Sequence, residues 1–184
     1  KTLVYREAFL LQANLIQRRL DNELSPATSR RSRDGGYLDQ FDSSLPFQLT
    51  SGQFEVGTEI LGDLAKTYPM NRLLQGEVGS GKTLVALRAM LAVADSDGQS
   101  ALLAPTEVLA SQHFRTMERS LGEDLAKQVG LTLLTGQLPT DARKKAMLQV
   151  VSGKARIVIG THALFSEKVE FYDLGLVVID EQHR

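Results

Sequence analysis

The chain contains no cysteine, and this absence excludes disulfide bonds, thiolate catalysis and cysteine-based zinc sites. It has no apolar run approaching the roughly 18 residues of a membrane-spanning helix, and its charged start does not resemble a signal peptide. The formal net charge is −1, so the chain is not a uniformly basic nucleic-acid binder, although a local basic patch would not show in that sum. The composition predicts a cytoplasmic protein without a membrane partner.

Aromatic residues are also scarce, at 6% of the chain, whereas hydrophobic residues make up 42%, so aliphatic side chains must form the core. Short aliphatic runs alternate with helical segments from about Leu45 onward. The runs lie at 70–75, 100–105, 129–136, 155–160 and 174–180, and helical patterns between them at 82–94, 106–121 and 140–153. This alternation predicts an α/β fold with a five-stranded parallel sheet covered by helices on both faces, a three-layer arrangement.

The chain divides into three predicted parts. Residues 1–22 have apolar positions at helical spacing and predict an amphipathic linker helix. Residues 23–45 are rich in Ser, Arg, Asp and Gly and predict a flexible linker or loop. Arg30, Arg31 and Arg33 fall in this loop, where a solvated surface is a simpler interpretation than phosphate contact. Residues 46–184 then form the nucleotide-binding domain.

The most informative motif is the glycine-rich stretch "QGEVGSGKT", which matches G-x-x-x-x-G-K-[ST] between a predicted strand and a predicted helix. Glycines let backbone N–H groups converge on phosphate oxygens, and the helix start adds a positive dipole end. The predicted ATP-binding residues are Gly76, Glu77, Val78, Gly79, Ser80, Gly81, Lys82 and Thr83. Lys82 is expected to reach the β- and γ-phosphates, and Thr83 to bind Mg²⁺. A plain turn or a dinucleotide site fits this glycine spacing less well.

A second motif, "LVVIDE", places two acids after an apolar strand near the end of the chain. Asp180 is predicted to be a Mg²⁺ ligand beside Thr83, and Glu181 to orient or deprotonate the attacking water. His183 completes an Asp-Glu-x-His pattern and is predicted to be functional with them.

Together these two motifs resemble those of superfamily 2 helicases of the Asp-Glu-x-His type. More closely, the chain from about residue 45 onward resembles the RecG family of bacterial ATP-dependent DNA helicases, and its leading helix resembles that family's connector between wedge domain and motor. The segments that resemble the family are "LPFQLTSGQ", "APTEVLASQH", "LTG", "IGTHALF" and "LGLVVIDEQHR". The resemblance implies a RecA-like domain, an adenine-reading role for Gln53, and remodelling of branched DNA in recombination and repair.

The resemblance also implies contacts with DNA beside the sheet. Six positions lie just past the ends of predicted strands, where hydroxyls, backbone N–H groups and a histidine can bond phosphates without reading bases. They are Thr106, Thr135, Gly136, Gly160, Thr161 and His162. An alternative that can hold at the same time is that Thr106 and Thr161 are helix N-caps.

The family pattern further implies partner domains that this sequence does not show: a DNA wedge before residue 1 and a second RecA-like lobe after Arg184. A monomeric parent protein acting on branched or duplex DNA is expected, with the present chain binding Mg-ATP weakly and hydrolysing almost none. Two alternatives stay open, namely a complete nucleotide-gated module or phosphotransferase, and the motor of a transcription-repair coupling factor. A transporter ATPase is disfavoured because "TGQ" falls short of its signature.

Overall fold

The computed structural model describes residues 21, 23–77, 79–161 and 169–180. The predicted linker helix at 1–22 lies almost entirely outside these residues. So do four of the predicted site residues, which are Val78, His162, Glu181 and His183. Within the described part of the chain, no helix is long and apolar enough to cross a membrane.

Five helices and four strands form the described structure. The helices are α1 (Tyr37–Ser44), α2 (Ser51–Leu64), α3 (Lys82–Asp95), α4 (Glu107–Gln128) and α5 (Thr140–Val151). The strands are β1 (Gln99–Ala104), β2 (Leu131–Leu134), β3 (Ile157–Thr161) and β4 (Leu174–Ile179). All strand pairs are parallel, and the strand order is β2-β3-β1-β4.

Helices cover both faces of this sheet, which confirms the predicted three-layer arrangement. On one face Leu102 and Ile159 pack with residues of α1, α3 and α4, including the fully buried Met90 and Met117. On the other face, side chains from β1, β2 and β3 pack against α5, where Val150 is fully buried. Helix α2 lies further out and packs on α3. Since parallel strands are covered on both faces, they consist of nearly continuous aliphatic runs.

The predicted strand at 70–75 is wrong, because residues 69–77 form neither strand nor helix. A parallel strand needs a hydrogen-bonded neighbour, and among the described residues β4 pairs only with β1. Met70 and Leu74 instead pack against the cluster between α2 and α3, while Leu73 is 79% exposed. The apolar residues of this run therefore contact helices rather than extend the sheet.

Residues 23–45 are not the flexible loop that their composition predicts. Helix α1 lies within them, and its Leu38 and Phe41 are buried in the main core. Gly36 precedes this helix and has no side chain to cap it. The side chain of the buried Asp95 caps the helix instead, because it accepts hydrogen bonds from the N–H groups of Tyr37 (2.6 Å) and Leu38 (3.3 Å). The segment is thus part of the domain core.

Arg30 likewise corrects the sequence-based interpretation of a solvated arginine loop. Its side chain is only 5% exposed and donates two hydrogen bonds, of 2.7 and 2.6 Å, to the Asp173 carboxylate just before β4. These bonds hold the pKa of Asp173 below its usual value. Arg33 pairs with Asp97 at 2.6 Å, but both side chains are exposed, and Arg31 is exposed as well, so the solvated interpretation fits Arg31 and Arg33. The two ion pairs lie at the amino-terminal edge of the sheet, opposite the edge that carries the predicted phosphate contacts.

Candidate nucleotide and DNA site

The carboxyl ends of all four strands lie along one edge of the sheet. The register pairs Ala104 with Thr161, and Leu103 with both Gly160 and Ile179. Polar residues follow each strand end at this edge. They are Thr106 after β1, Thr135 after β2, Thr161 at the end of β3 and Asp180 after β4. Such an edge is where ligands bind in open parallel sheets.

The phosphate loop turns into α3 through two glycines with left-handed backbone. Gly79 has φ of 84° and Gly81 has φ of 83°, a backbone region that residues other than glycine seldom adopt. A Cβ at Gly81 would also lie 2.3 Å from the Gln53 amide nitrogen. The loop residues are largely exposed, and α3 begins directly at Lys82. The positive end of the helix dipole therefore points into the loop.

Lys82 folds back over this loop. Its ammonium group donates hydrogen bonds of 2.7 Å to the carbonyl oxygens of Gly76 and Glu77. An ammonium group has three donors, so two carbonyls leave one donor for another acceptor. The cation is therefore positioned within the motif that predicts phosphate binding.

Gln53 connects α2 to the phosphate loop. Its side chain forms a capping box with Thr50: the Gln53 N–H donates to Thr50 Oγ1 at 3.2 Å, and Gln53 Oε1 accepts from the Thr50 N–H at 3.0 Å. The Gln53 amide nitrogen donates to the Ser80 carbonyl at 3.0 Å. The sequence predicted an adenine-reading role here, and the structure adds a support role for the loop.

Asp180 is fixed at two points. Its backbone N–H donates to the Leu103 carbonyl at 2.9 Å, which extends the β1–β4 pairing. Its Oδ2 lies 2.6 Å from His113 Nε2 on α4. Side-chain exposures are 32% for Asp180 and 19% for His113. Because a carboxylate only accepts hydrogen bonds, Nε2 carries the proton in this contact.

The predicted metal ligands are Thr83 and Asp180. Among the described residues, no group of three His, Asp or Glu side chains is arranged to hold a metal ion. Mg²⁺ typically binds one or two protein oxygens together with phosphates and water, and the Thr83 hydroxyl and the Asp180 carboxylate are oxygen ligands of that kind.

The predicted DNA-facing residues differ in their accessibility. Thr106 and Gly136 are exposed and Thr161 is half-buried, whereas Thr135 and Gly160 are buried. Thr106 also caps α4, since its hydroxyl accepts from the Leu109 N–H at 3.3 Å. The alternative role for Thr106 is therefore confirmed and leaves its exposed face available.

Sequence reasoning missed two residues that connect these positions. Glu107 accepts a 2.8 Å hydrogen bond from the Gly136 N–H, and His113 binds Asp180. The signal for His113 was available, because it interrupts the buried face of α4 marked by Ala110, Met117 and Leu121. A histidine on that face requires a polar partner.

The fold and site define a phosphate-loop α/β protein of the RecA-like helicase type. The family model for DEAD/DEAH box helicases matches residues 52–184. The chain belongs to the DEAD/DEAH box helicase family.

Its relatives point to one kind of helicase. The chain is 45% identical to the ATP-dependent DNA helicase RecG of Mycobacterium bovis, and 44% to that of Synechocystis, over 99% and 100% of its length. It spans 26% and 22% of those two proteins, so about a quarter of the curated relatives it matches.

Solved structures agree with this assignment. RecG bound to a three-way DNA junction matches 98% of this chain and 24% of that one, with a TM-score of 0.88 and 40% identity. A hypothetical ATP-dependent RNA helicase from Sulfolobus tokodaii matches 79% of this chain and 40% of its own, at TM-score 0.54 and 21% identity. The second likeness concerns the fold alone.

Proposed function

We propose that this chain is the ATP-binding lobe of a cytoplasmic DNA helicase that remodels branched DNA. The observation that carries the proposal is the likeness, over 98% of the chain, to RecG bound to a three-way junction. Since the chain spans only about a quarter of such relatives, the proposed motor includes a DNA wedge domain and a second RecA-like lobe.

The geometry supports Mg-ATP as the bound nucleotide. Lys82 is already held over the phosphate loop by two carbonyls at 2.7 Å, and α3 points its N-terminus into the same loop. In the proposal, Lys82 exchanges these carbonyls for phosphate oxygens, while Thr83 and Asp180 hold Mg²⁺. The bound ion would neutralise charge that develops on the transferred phosphoryl group. Gln53 would contact adenine through amide positions that remain after its bonds to Thr50 and Ser80.

The proposed DNA contacts lie at the other strand ends of the same edge. Thr106, Gly136 and Thr161 offer hydroxyl and N–H groups that bond phosphates irrespective of base sequence. Thr135 and Gly160 are buried. In the proposal they support the edge of the sheet on which the DNA strand lies. His162 follows Thr161 and lies outside the described residues, so its predicted role stays a prediction. A motor that moves along any sequence requires contacts of this kind.

The chain on its own is expected to bind ATP but not to turn it over. Positioning and electrostatics provide nearly all phosphoryl-transfer catalysis. In the proposal the second lobe supplies an arginine to the γ-phosphate, and the absence of such an arginine costs about 10³–10⁵-fold in rate. Binding of a fluorescent ATP analogue, with and without Mg²⁺, and steady-state phosphate release should both be measured on the purified chain.

The matched control for that experiment is Lys82→Ala, which should lose nucleotide binding. Phosphate release at motor-like rates by the unmodified chain would contradict the proposal. It would favour a nucleotide-hydrolysing module that is complete in these residues.

A further inference from the structure

We infer that α4 couples the DNA-facing edge of the sheet to Asp180, the proposed Mg²⁺ ligand. In this inference His113 is the positioning residue for Asp180. The inference rests on the proposed function, because it assigns the two ends of the helix to DNA and to Mg-ATP. It concerns a residue that neither the sequence motifs nor the family match assigns.

At the nucleotide end, His113 determines the orientation of the carboxylate. The Nε2–Oδ2 distance of 2.6 Å places the imidazole in direct hydrogen-bond contact with the carboxylate. The Asp180 backbone is already fixed by Leu103, so the His113 contact removes the remaining side-chain rotation. Oδ2 accepts the hydrogen bond from the imidazole, and the remaining lone pairs of the carboxylate would be the ones to hold Mg²⁺. Groups that orient a metal ligand in this way tune the affinity of the site.

At the DNA end, the first turn of α4 contacts two of the proposed phosphate-binding positions. Thr106 caps the helix with its hydroxyl, and Glu107 accepts the Gly136 N–H at 2.8 Å. A phosphate that binds the Gly136 N–H competes with the Glu107 carboxylate for it, whereas the Thr106 hydroxyl can donate to a phosphate while it still accepts from Leu109. Its binding therefore acts directly on the start of the helix.

The two ends are joined by rigid structure. His113 follows Thr106 by seven residues, which is about two helical turns and about 10 Å along the axis. Thr106 caps the same helical segment that carries His113, this segment runs without interruption to a kink at Gly122, and Ala110 between the two residues is fully buried against the core. A shift of the first turn is thus transmitted to Nε2, and from there to Asp180. By linkage, DNA that favours one position of α4 changes Mg-ATP affinity, and Mg-ATP changes DNA affinity by the same factor.

Three substitutions at His113 test this coupling in the longer enzyme that carries this chain. Gln places an amide nitrogen near the position of Nε2, whereas Asn is too short to reach Asp180 and Leu has no donor. For His113→Leu and His113→Asn, the Mg²⁺ concentration for half-maximal binding of a fluorescent ATP analogue should rise about 10- to 100-fold. The ratio of turnover with and without forked DNA should fall in the same two variants, and His113→Gln should restore both quantities. Gln128→Leu is the control, because Gln128 is exposed and lies beyond the kink at Gly122, on the helical segment that contacts neither Asp180 nor Gly136.

The inference is overturned if His113→Asn and His113→Leu keep the unmodified Mg²⁺ dependence and the unmodified DNA stimulation. A merely structural role would lower thermal stability in all three variants without separating Gln from Asn, and that result would also overturn it. If the unmodified enzyme shows no DNA stimulation, the proposed function fails. The Mg²⁺ comparison among the variants would still decide whether His113 positions Asp180.

Discussion

Replacing Lys82 with alanine is expected to lower ATP turnover of the longer enzyme by about 10²–10³-fold, the usual cost of removing one preorganised electrostatic donor. Lys82 is the cation at the start of α3, held over the phosphate loop by the carbonyls of Gly76 and Glu77. Alanine removes the charge but keeps the helix, because alanine has the best helix propensity. Steady-state phosphate release at saturating forked DNA measures the effect.

The control for this variant is Lys144→Ala, which removes the same charge from an exposed position on α5. It should leave turnover unchanged. The thermal unfolding of both variants should match that of the unmodified protein. Normal turnover by Lys82→Ala would show that the phosphate loop does not serve ATP hydrolysis.

Replacing Phe41 with alanine is expected to cost about 3–5 kcal/mol of unfolding free energy, the range for deleting a buried aromatic ring. Phe41 is fully buried and packs in the main core with α3 and α4. The loss arises because α1 and its neighbours cannot close the cavity while Asp95 and the Asp42–Arg88 pair hold the helix in place. Urea unfolding followed by circular dichroism measures it.

Phe54→Ala is the matched control, since the same ring is removed from a side chain that is 59% exposed. Its unfolding free energy should change by less than about 1 kcal/mol. If Phe41→Ala were equally mild, residues 37–44 would behave as the linker that their composition predicts, and the core assignment would be wrong.

Most of the sheet and its helices could be predicted because their signals are local. Strands β1 to β4 are short aliphatic runs, and α3, α4 and α5 lie between or beside them at the predicted places. The phosphate loop was recognisable because glycines, lysine and threonine are needed at fixed spacing for a single chemical task. Such features depend little on the rest of the chain.

The errors concern features that depend on distant partners. Residues 70–75 are as aliphatic as a strand, but a strand requires a neighbour in the sheet, and sequence pattern cannot provide that information. Residues 23–45 look like a polar loop because few of them are aliphatic, and because several of their stabilising contacts are ion pairs and caps with distant residues. Arg30 finds Asp173, 143 residues away, and α1 is capped by Asp95.

The candidate site also contains residues that one local motif predicts and contacts that depend on distant partners. Gly81, Lys82 and Asp180 could be named from motifs, because each motif fixes its own chemistry. The contacts of His113 with Asp180 and of Glu107 with Gly136 join separate motifs across the fold. No spacing rule within one segment predicts them.

The most direct test of the proposed function is ATP turnover by the longer enzyme without DNA and with single-stranded, duplex or forked DNA at equal nucleotide concentration. The proposed function predicts strong stimulation by forked DNA, above that by duplex or single strands. Turnover that is the same with every DNA and without it would contradict a branched-DNA motor and leave a phosphate-loop nucleotide hydrolase of another kind.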